Sequence, residues 1–146
     1  MSGIKVTPAD KYFGDCIKER SDWTCEFPGC NRRYPPPSSL QCCHYFSRGD
    51  WSTRFNKENC ISMCFAHHSW MDGHHHQFRE FMEKRLGPDG YAALVARNAD
   101  SVLGKKFKQT KGIGEIAKFF KSQYQQMVQF RLFSSEKIID FEEYVP

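Results

Sequence analysis

The chain has no run approaching the roughly 18 consecutive apolar residues that a membrane span needs. Its opening residues, Met-Ser-Gly-Ile-Lys, lack the apolar centre of a secretion signal. No membrane partner is expected, and the cytoplasm is the expected compartment. Internal repeats are absent, and low complexity is confined to the short loop Pro35-Pro36-Pro37-Ser38-Ser39. Solenoid architectures and long disordered tracts are thereby excluded. Acidic residues are scarce where basic ones gather: from Lys105 to Lys121 six lysines stand against a single acid, Glu115. The overall formal charge is only +4, so a polyanionic partner is compatible with the surface without being demanded by it.

What is present fits one compact domain, since 146 residues fall in the usual single-domain range of about 100 to 150. Seven cysteines are an odd number. In a reducing compartment, cysteines grouped with histidines read as metal ligands plus spare thiols rather than as disulfides.

Thr7-Pro8 is a helix start, with Thr as N-cap and Pro in the first turn. Tyr12, Phe13, Cys16 and Ile17 then trace an apolar stripe, predicting a helix over about 8–20. From Trp23 to Phe46 short extended pieces around the proline loop suggest a loose hairpin, with Cys25 and Cys30 at its start and His44 near its end. Asn59 to Met63 reads as a short strand and Cys64 to Trp70 as the beginning of a helix that Gly73 interrupts. His74-His75-His76 is either an accidental metal-binding tract or the first turn of the next helix. That helix runs through Phe78, Phe81, Met82 and Leu86 and stops at Gly87-Pro88, and Tyr91 to Ala99 supplies another. Beyond a lysine-rich loop around Gly104 and Gly112, Ile113, Ile116, Ala117, Phe120, Tyr124, Met127 and Val128 mark a long amphipathic helix. The acidic tail from Ser134 is expected to pack loosely.

The chemistry concentrates in Cys25-(x4)-Cys30, Cys42-Cys43-His44, Asn59 and Cys64-Phe-Ala-His67-His68. Two ligand pairs separated by a few dozen residues match a tetrahedral zinc site, in which each pair sits on a tight turn that aims both side chains at one ion. Cys25, Cys30, Cys64 and His67 are the expected ligands, with His68, Cys60 and Cys42 as alternatives for the fourth. Cys16, Cys42 and Cys60 otherwise read as small buried hydrophobes.

The order of His44, then Asn59 fifteen residues on, then His68 just after the last ligand pair resembles the HNH nuclease signature. A wider resemblance covers most of the chain. Ile17-Lys-Glu-Arg-Ser-Asp, Cys43-His44-Tyr45, Thr53-Arg54-Phe55-Asn56-Lys57-Glu58-Asn59, Cys64 to His68, and Phe78-Arg79 to Leu86-Gly87 resemble the NinG/Rap recombination nucleases of lambdoid phages in order and spacing. The resemblance implies an α+β fold with a ββα-metal, treble-clef-like core stapled by a structural Zn²⁺. It divides the chain into an N-terminal helix (1–22), a nuclease core (23–87) and a helical extension (88–146), within one compact domain. It also implies a phage protein acting in the host cytoplasm on branched DNA such as D-loops and Holliday-type junctions.

The resemblance further implies His44 as general base on the attacking water, Asn59 as the residue that fixes the loop and orients His44, and His68 as ligand of a catalytic Mg²⁺ or Mn²⁺. A neutral imidazole and one Lewis-acidic cation together meet the needs of phosphodiester hydrolysis. Many HNH enzymes carry a hard ligand just before the first His. Here Cys43 stands there, which suits softer cations better than Mg²⁺. Asp50, Asp72 and His74 to His76 are weaker ligand candidates. Arg48, Arg54, Lys105, Lys106, Lys108 and Lys111 are the expected phosphate contacts, with Arg32 and Arg33 flanking the site. Trp51 and Trp70 read as loop anchors rather than as stacking platforms for unpaired bases. A homodimer is compatible with junction cleavage. The rival readings are a non-catalytic zinc-dependent DNA-binding or adaptor module, and a sequence-specific HNH restriction or homing enzyme.

Overall fold

In a computed structural model of the chain, residues 4–109, 112–136 and 138–146 are described. The first helix, α1 (Pro8–Arg20), begins on a reciprocal cap: the Thr7 hydroxyl accepts from the Asp10 backbone N–H, while the Asp10 carboxylate accepts from the Thr7 backbone N–H. Its buried face carries Ala9, Phe13, Cys16 and Ile17. The last helix, α6 (Ile113–Phe133), lies against it through Ile116, Ala117, Phe120 and Met127. Phe13 meets Phe120 and Phe55 edge-on, with ring centroids 5.1 and 5.8 Å apart.

Between the two long helices and the rest of the molecule runs one antiparallel pair, β1 (Gln41–His44) and β2 (Cys60–Met63). Gln41 lies opposite Met63, Cys42 opposite Ser62, Cys43 opposite Ile61 and His44 opposite Cys60. Side chains alternate between faces along a strand. Cys42, Ser62, His44 and Cys60 therefore share one face; Gln41, Met63, Cys43 and Ile61 share the other. The first face belongs to α1, since the Ser62 hydroxyl donates to the Ile17 carbonyl at 3.2 Å. The second belongs to another core, in which Cys43, Ile61 and Met63 pack with Met71, Phe78, Met82 and Leu94.

A single helical turn, α2 (Trp51–Arg54), and a 3₁₀ turn (Lys57–Asn59) fill the connection between the strands. After β2 the chain enters α3 (Phe65–Asp72) and then α4 (His75–Asn98). Gly87, at φ 74 and ψ 170, breaks α4 into two helices at the expected position, because that backbone region strongly favours glycine. The histidine tract opens α4: the His74 ring stacks on Trp70 with centroids 3.9 Å apart. Helix α5 (Ser101–Gln109) packs on α2. Among the described residues no helix is long and apolar enough to cross a membrane.

Three expectations are corrected. The partner of the segment bearing His44 is β2 rather than the Cys25 region. The chain around Cys25 closes on itself, with Cys25 N–H donating to Arg32 O at 2.9 Å and Tyr34 N–H to Trp23 O at 2.7 Å. Pro35 to Pro37 then offer no N–H with which to extend a ladder. Lys105, Lys106 and Lys108 stand on α5 rather than in a loop, because Leu103 and Phe107 give that segment an apolar side to bury.

The acidic tail is fastened rather than loose. Ile139 and Phe141 enter the α1–α6 core, Lys57 binds Asp140 at 2.9 Å, and Asn56 and Arg97 both donate to Glu143. Truncating Phe141 to Ala is expected to cost ~3 kcal/mol, within the usual range for a buried Phe. Urea unfolding measures this; a loss below about 0.5 kcal/mol, the size of an ordinary surface substitution, would mean that the tail is not part of the core.

Candidate metal centres

Among the described residues three groups of donor side chains form, and in each the potential ligand atoms lie within 4.8 Å of one another. The first is Cys25, Cys30, Cys64 and His67, the set expected for zinc. Its two halves are positioned independently. Helix α1 ends in two left-handed residues, Asp22 and Trp23, held by Trp23 N–H donating to Lys18 O at 2.8 Å and by its indole N–H donating to Glu19 at 2.5 Å. That exit delivers Cys25 beside β2. Gly29, at φ 83, then turns the chain so that Cys30 N–H reaches Phe27 O, closing a tight knuckle.

The second half is Cys64, which caps the start of α3 and so sits one turn before His67. His67 Nδ1 lies 3.2 Å from Cys64 Sγ and 3.5 Å from Cys25 Sγ, and its ring stacks on Phe27 with centroids 4.0 Å apart. Three thiols and one imidazole, drawn from a knuckle and a helix start, suit a tetrahedral cation such as zinc. Burial pushes the Cys25 thiol up to about 11. At Cys64 burial acts in the same direction, but hydrogen bonds from the His67 backbone, Cys25 and Tyr34 outweigh it and hold the thiol below its usual range.

The second group is Cys43, His68 and Asp72. Cys43 is buried on the α3 side of β1. His68 Nδ1 is 2.6 Å from the Gln41 side-chain oxygen, two residues back on the same strand face, and His68 Nε2 is 3.4 Å from the Asp72 carboxylate. Of the weaker ligand candidates Asp50, Asp72 and His74 to His76, Asp72 is the one that joins this group. Its position four residues after His68 on one helix was the signal available.

The third group is Cys42, His44 and Cys60, on the α1 side. The ring of His44 lies 6.2 Å from that of Phe13, and its Nε2 donates to the Arg54 carbonyl at 3.0 Å. That bond assigns the proton to Nε2 and leaves the lone pair on Nδ1. Burial holds the imidazole down, to about 4, and so favours its neutral form. Asn59 is fully buried in the connecting loop. Its amide donates to Phe46 O at 3.0 Å and Thr53 O at 3.2 Å, and its oxygen accepts from Phe46 N–H at 2.8 Å. Asn59 thus pins both arms of the loop whose Arg54 carbonyl holds His44.

His44, Asn59 and His68 were expected around one pocket, and the fold divides them. His44 and Asn59 are linked through one loop, whereas His68 groups with Cys43, on the strand face opposite His44.

The expected phosphate contacts fare unevenly. Arg54 is withdrawn from that role: it is 3% exposed, forms a two-point pair with Asp10 at 2.7 and 2.9 Å, and lies 4.4 Å over the Trp51 ring. Burial works against the Asp10 carboxylate, yet the bonds from Arg54 and Thr7 prevail and hold it below its usual range. Arg48 donates to the Ile4 carbonyl and is half-buried. Lys105, Lys106 and Lys108 are exposed, and Lys111 lies outside the described residues. Among the alternatives for zinc, His68, Cys60 and Cys42 all fall in other groups.

Compared with protein-family models, curated proteins and solved structures, the chain matches none.

Three outcomes are expected from this geometry. Nitrogen-15 NMR should find His44 as the neutral Nε2–H tautomer from pH 7 down to pH 5, whereas a protonated ring at pH 6 would contradict the burial described. Because the unfolded chain takes up that proton near 6.5 and the folded chain only near 4, acidification through this window should lower stability. Replacing Arg54 with Leu should destabilise the fold by ~3 kcal/mol in urea titrations, since it strands the buried Asp10 carboxylate. No loss would place the pair at the surface.

Proposed function

We propose that this protein is a metal-dependent endonuclease of the HNH type, with a zinc-stapled ββα-metal core, acting on branched DNA such as D-loops and four-way junctions. The reading is carried by the construction around His44. Its Nε2 is tied to a backbone carbonyl, the loop supplying that carbonyl is locked by Asn59, and the preceding residue, Cys43, joins His68 and Asp72 in a cation-sized cluster.

In this reading Cys25, Cys30, Cys64 and His67 hold a structural zinc that fixes the start of α3 against the end of α1. His44 accepts the proton of the attacking water at Nδ1, the nitrogen left with a lone pair, while the Arg54 carbonyl stops the ring from turning. Asn59 is a positioning residue, acting on His44 through the loop. Cys43, His68 and Asp72 would hold a divalent cation, Mg²⁺ or Mn²⁺, with the thiolate favouring the softer of the two. When bound, that cation would supply Lewis-acid relief of the charge building on the phosphate, which in this reading sits at the end of β1, where the chain passes from Cys43 to His44. The lysines of α5 support a DNA substrate, since α5 packs on α2 and α2 ends at the carbonyl that holds His44. Paired incision across a junction requires two sites, so a homodimer accompanies the reading.

A second reading has its own support. His44 and His68 occupy opposite faces of the hairpin, an arrangement that suits a zinc-stabilised nucleic-acid-binding module without chemistry. A cleavage assay on a synthetic four-way junction, a D-loop and linear duplex separates the readings, with Mg²⁺, Mn²⁺ or EDTA. Cation-dependent cutting of the branched substrates is expected, and His44→Ala should reduce it by at least ~100-fold, the scale of a lost general base, while leaving junction binding intact. Binding without cutting in every cation would establish the module instead. Full cleavage by His44→Ala would remove His44 from the chemistry, and discrete fragments from linear plasmid would indicate a sequence-specific enzyme.

A further inference from the structure

We propose that Cys42, His44 and Cys60 form a second, thiophilic metal site, distinct from the Cys25–Cys30–Cys64–His67 centre and taking a soft d¹⁰ cation such as Zn²⁺ or Cu⁺. The backbone builds the convergence. Cys42 and His44 are alternate residues of β1, and Cys60 lies directly opposite His44 on β2, so the register places all three on the α1 face whatever their rotamers. Their ligand atoms lie within 4.8 Å of one another.

The surroundings fit a metal better than they fit three inert packing residues. Cys60 is fully buried and Cys42 half-buried, so the sulfurs are largely screened from bulk water. The Arg54 carbonyl fixes His44 as the Nε2–H tautomer, leaving Nδ1 as a neutral donor. Such outer anchoring of a ligating histidine is the usual companion of metal binding. Charge is offset nearby: the Arg20 guanidinium donates to the Cys60 carbonyl at 2.9 Å and to the Lys57 carbonyl at 3.1 Å, and its Nε–H is buried without a partner. Two thiolates and one imidazole select soft or borderline cations over Mg²⁺.

Three donors also leave a trigonal Cu⁺ complete, or a tetrahedral Zn²⁺ with one position to spare. Cys16 does not fill that position, since its thiol donates to the Phe120 carbonyl at 3.3 Å. Where His44 serves as the base of the proposed nuclease, a cation here takes the lone pair that would accept the proton. Thiophilic metal therefore inhibits cleavage; this consequence rests on the nuclease reading, and the site itself does not.

Cadmium is the probe. Reduced protein carrying a single equivalent of zinc, at the Cys25–Cys30–Cys64–His67 centre, is titrated with Cd²⁺ while thiolate-to-cadmium charge-transfer absorption and retained zinc are followed together. The wild-type chain should take up one equivalent of Cd²⁺ that carries the absorption of two thiolates, separate from any single-thiolate equivalent at Cys43, and should do so without releasing zinc. Cys42→Ser and Cys60→Ser should each lose that equivalent, and Cys43→Ser should keep it. Should the buried Cys60→Ser chain fail to fold, Cys42→Ser decides alone, its retained zinc reporting an intact fold. Equal uptake by Cys42→Ser, or uptake only by displacement of zinc, overturns the site. Cleavage is read on the same samples: a chain that never cuts DNA defeats the nuclease reading while cadmium uptake still stands, and cleavage unchanged by bound Cd²⁺ defeats the inhibition alone.

Discussion

The strict alternation of side chains along two four-residue strands governs this molecule. Because β1 and β2 pair in a single register, the consecutive residues Cys42, Cys43 and His44 are sent to alternate sides of one thin partition. On the α1 side the partition meets an aromatic core built on Phe13, Phe55 and Phe120. On the α3 side it meets a second core, of Ile61, Met63, Met71 and Met82. A slip of one residue would exchange the two faces, placing the Gln41 partner of His68 among phenylalanines and His44 among methionines. Both cores therefore depend on the register, and the register depends on whatever fixes the strand ends.

At one end that is the Cys25–Cys30–Cys64–His67 cluster, which joins the exit of α1 to the entry of α3. At the other it is Asn59, whose three hydrogen bonds close the long connection between the strands. The buried Arg54–Asp10 pair ties the same connection to the cap of α1, and Trp51 lies beneath the guanidinium. An arginine that looked available for phosphate is thus spent on holding the loop, and a buried ion pair of this kind tolerates loss of either partner poorly. The loop whose carbonyl holds His44 is thus fastened at several points, while the lysines of the neighbouring α5 lie at the surface.

Much of this was legible in the residues. Helices α1 and α6, the break at Gly87 and the four-ligand cluster all follow from local signals: a capped start, a 3.6-residue apolar stripe, a Gly-Pro step and paired ligands. What was not legible depends on long-range packing. The pairing of β1 with β2 rather than with the Cys25 segment turns on proline-rich residues that cannot donate to a ladder. The burial of Ile139 and Phe141 turns on a groove that α1 and α6 create only once assembled. The grouping of Asp72 with His68 and Cys43, and the separation of His44 from His68, follow from strand parity. Parity was readable in principle, but only once the partner strand was known. Motif order alone brings three residues together on paper; the register decides which of them share a face.

The central proposal is that the Cys25–Cys30–Cys64–His67 group at the edge of the hairpin holds zinc and that the Cys43–His68–Asp72 group on its α3 face holds a separate cation. Anomalous diffraction from crystals of the zinc-containing protein soaked in Mn²⁺, recorded on both sides of the zinc edge, tests it most directly. The account predicts a zinc peak enclosed by Cys25, Cys30, Cys64 and His67, and a manganese peak beside Cys43, His68 and Asp72. A map with no zinc among the first four residues, or with manganese bridging His44 and His68, would contradict it.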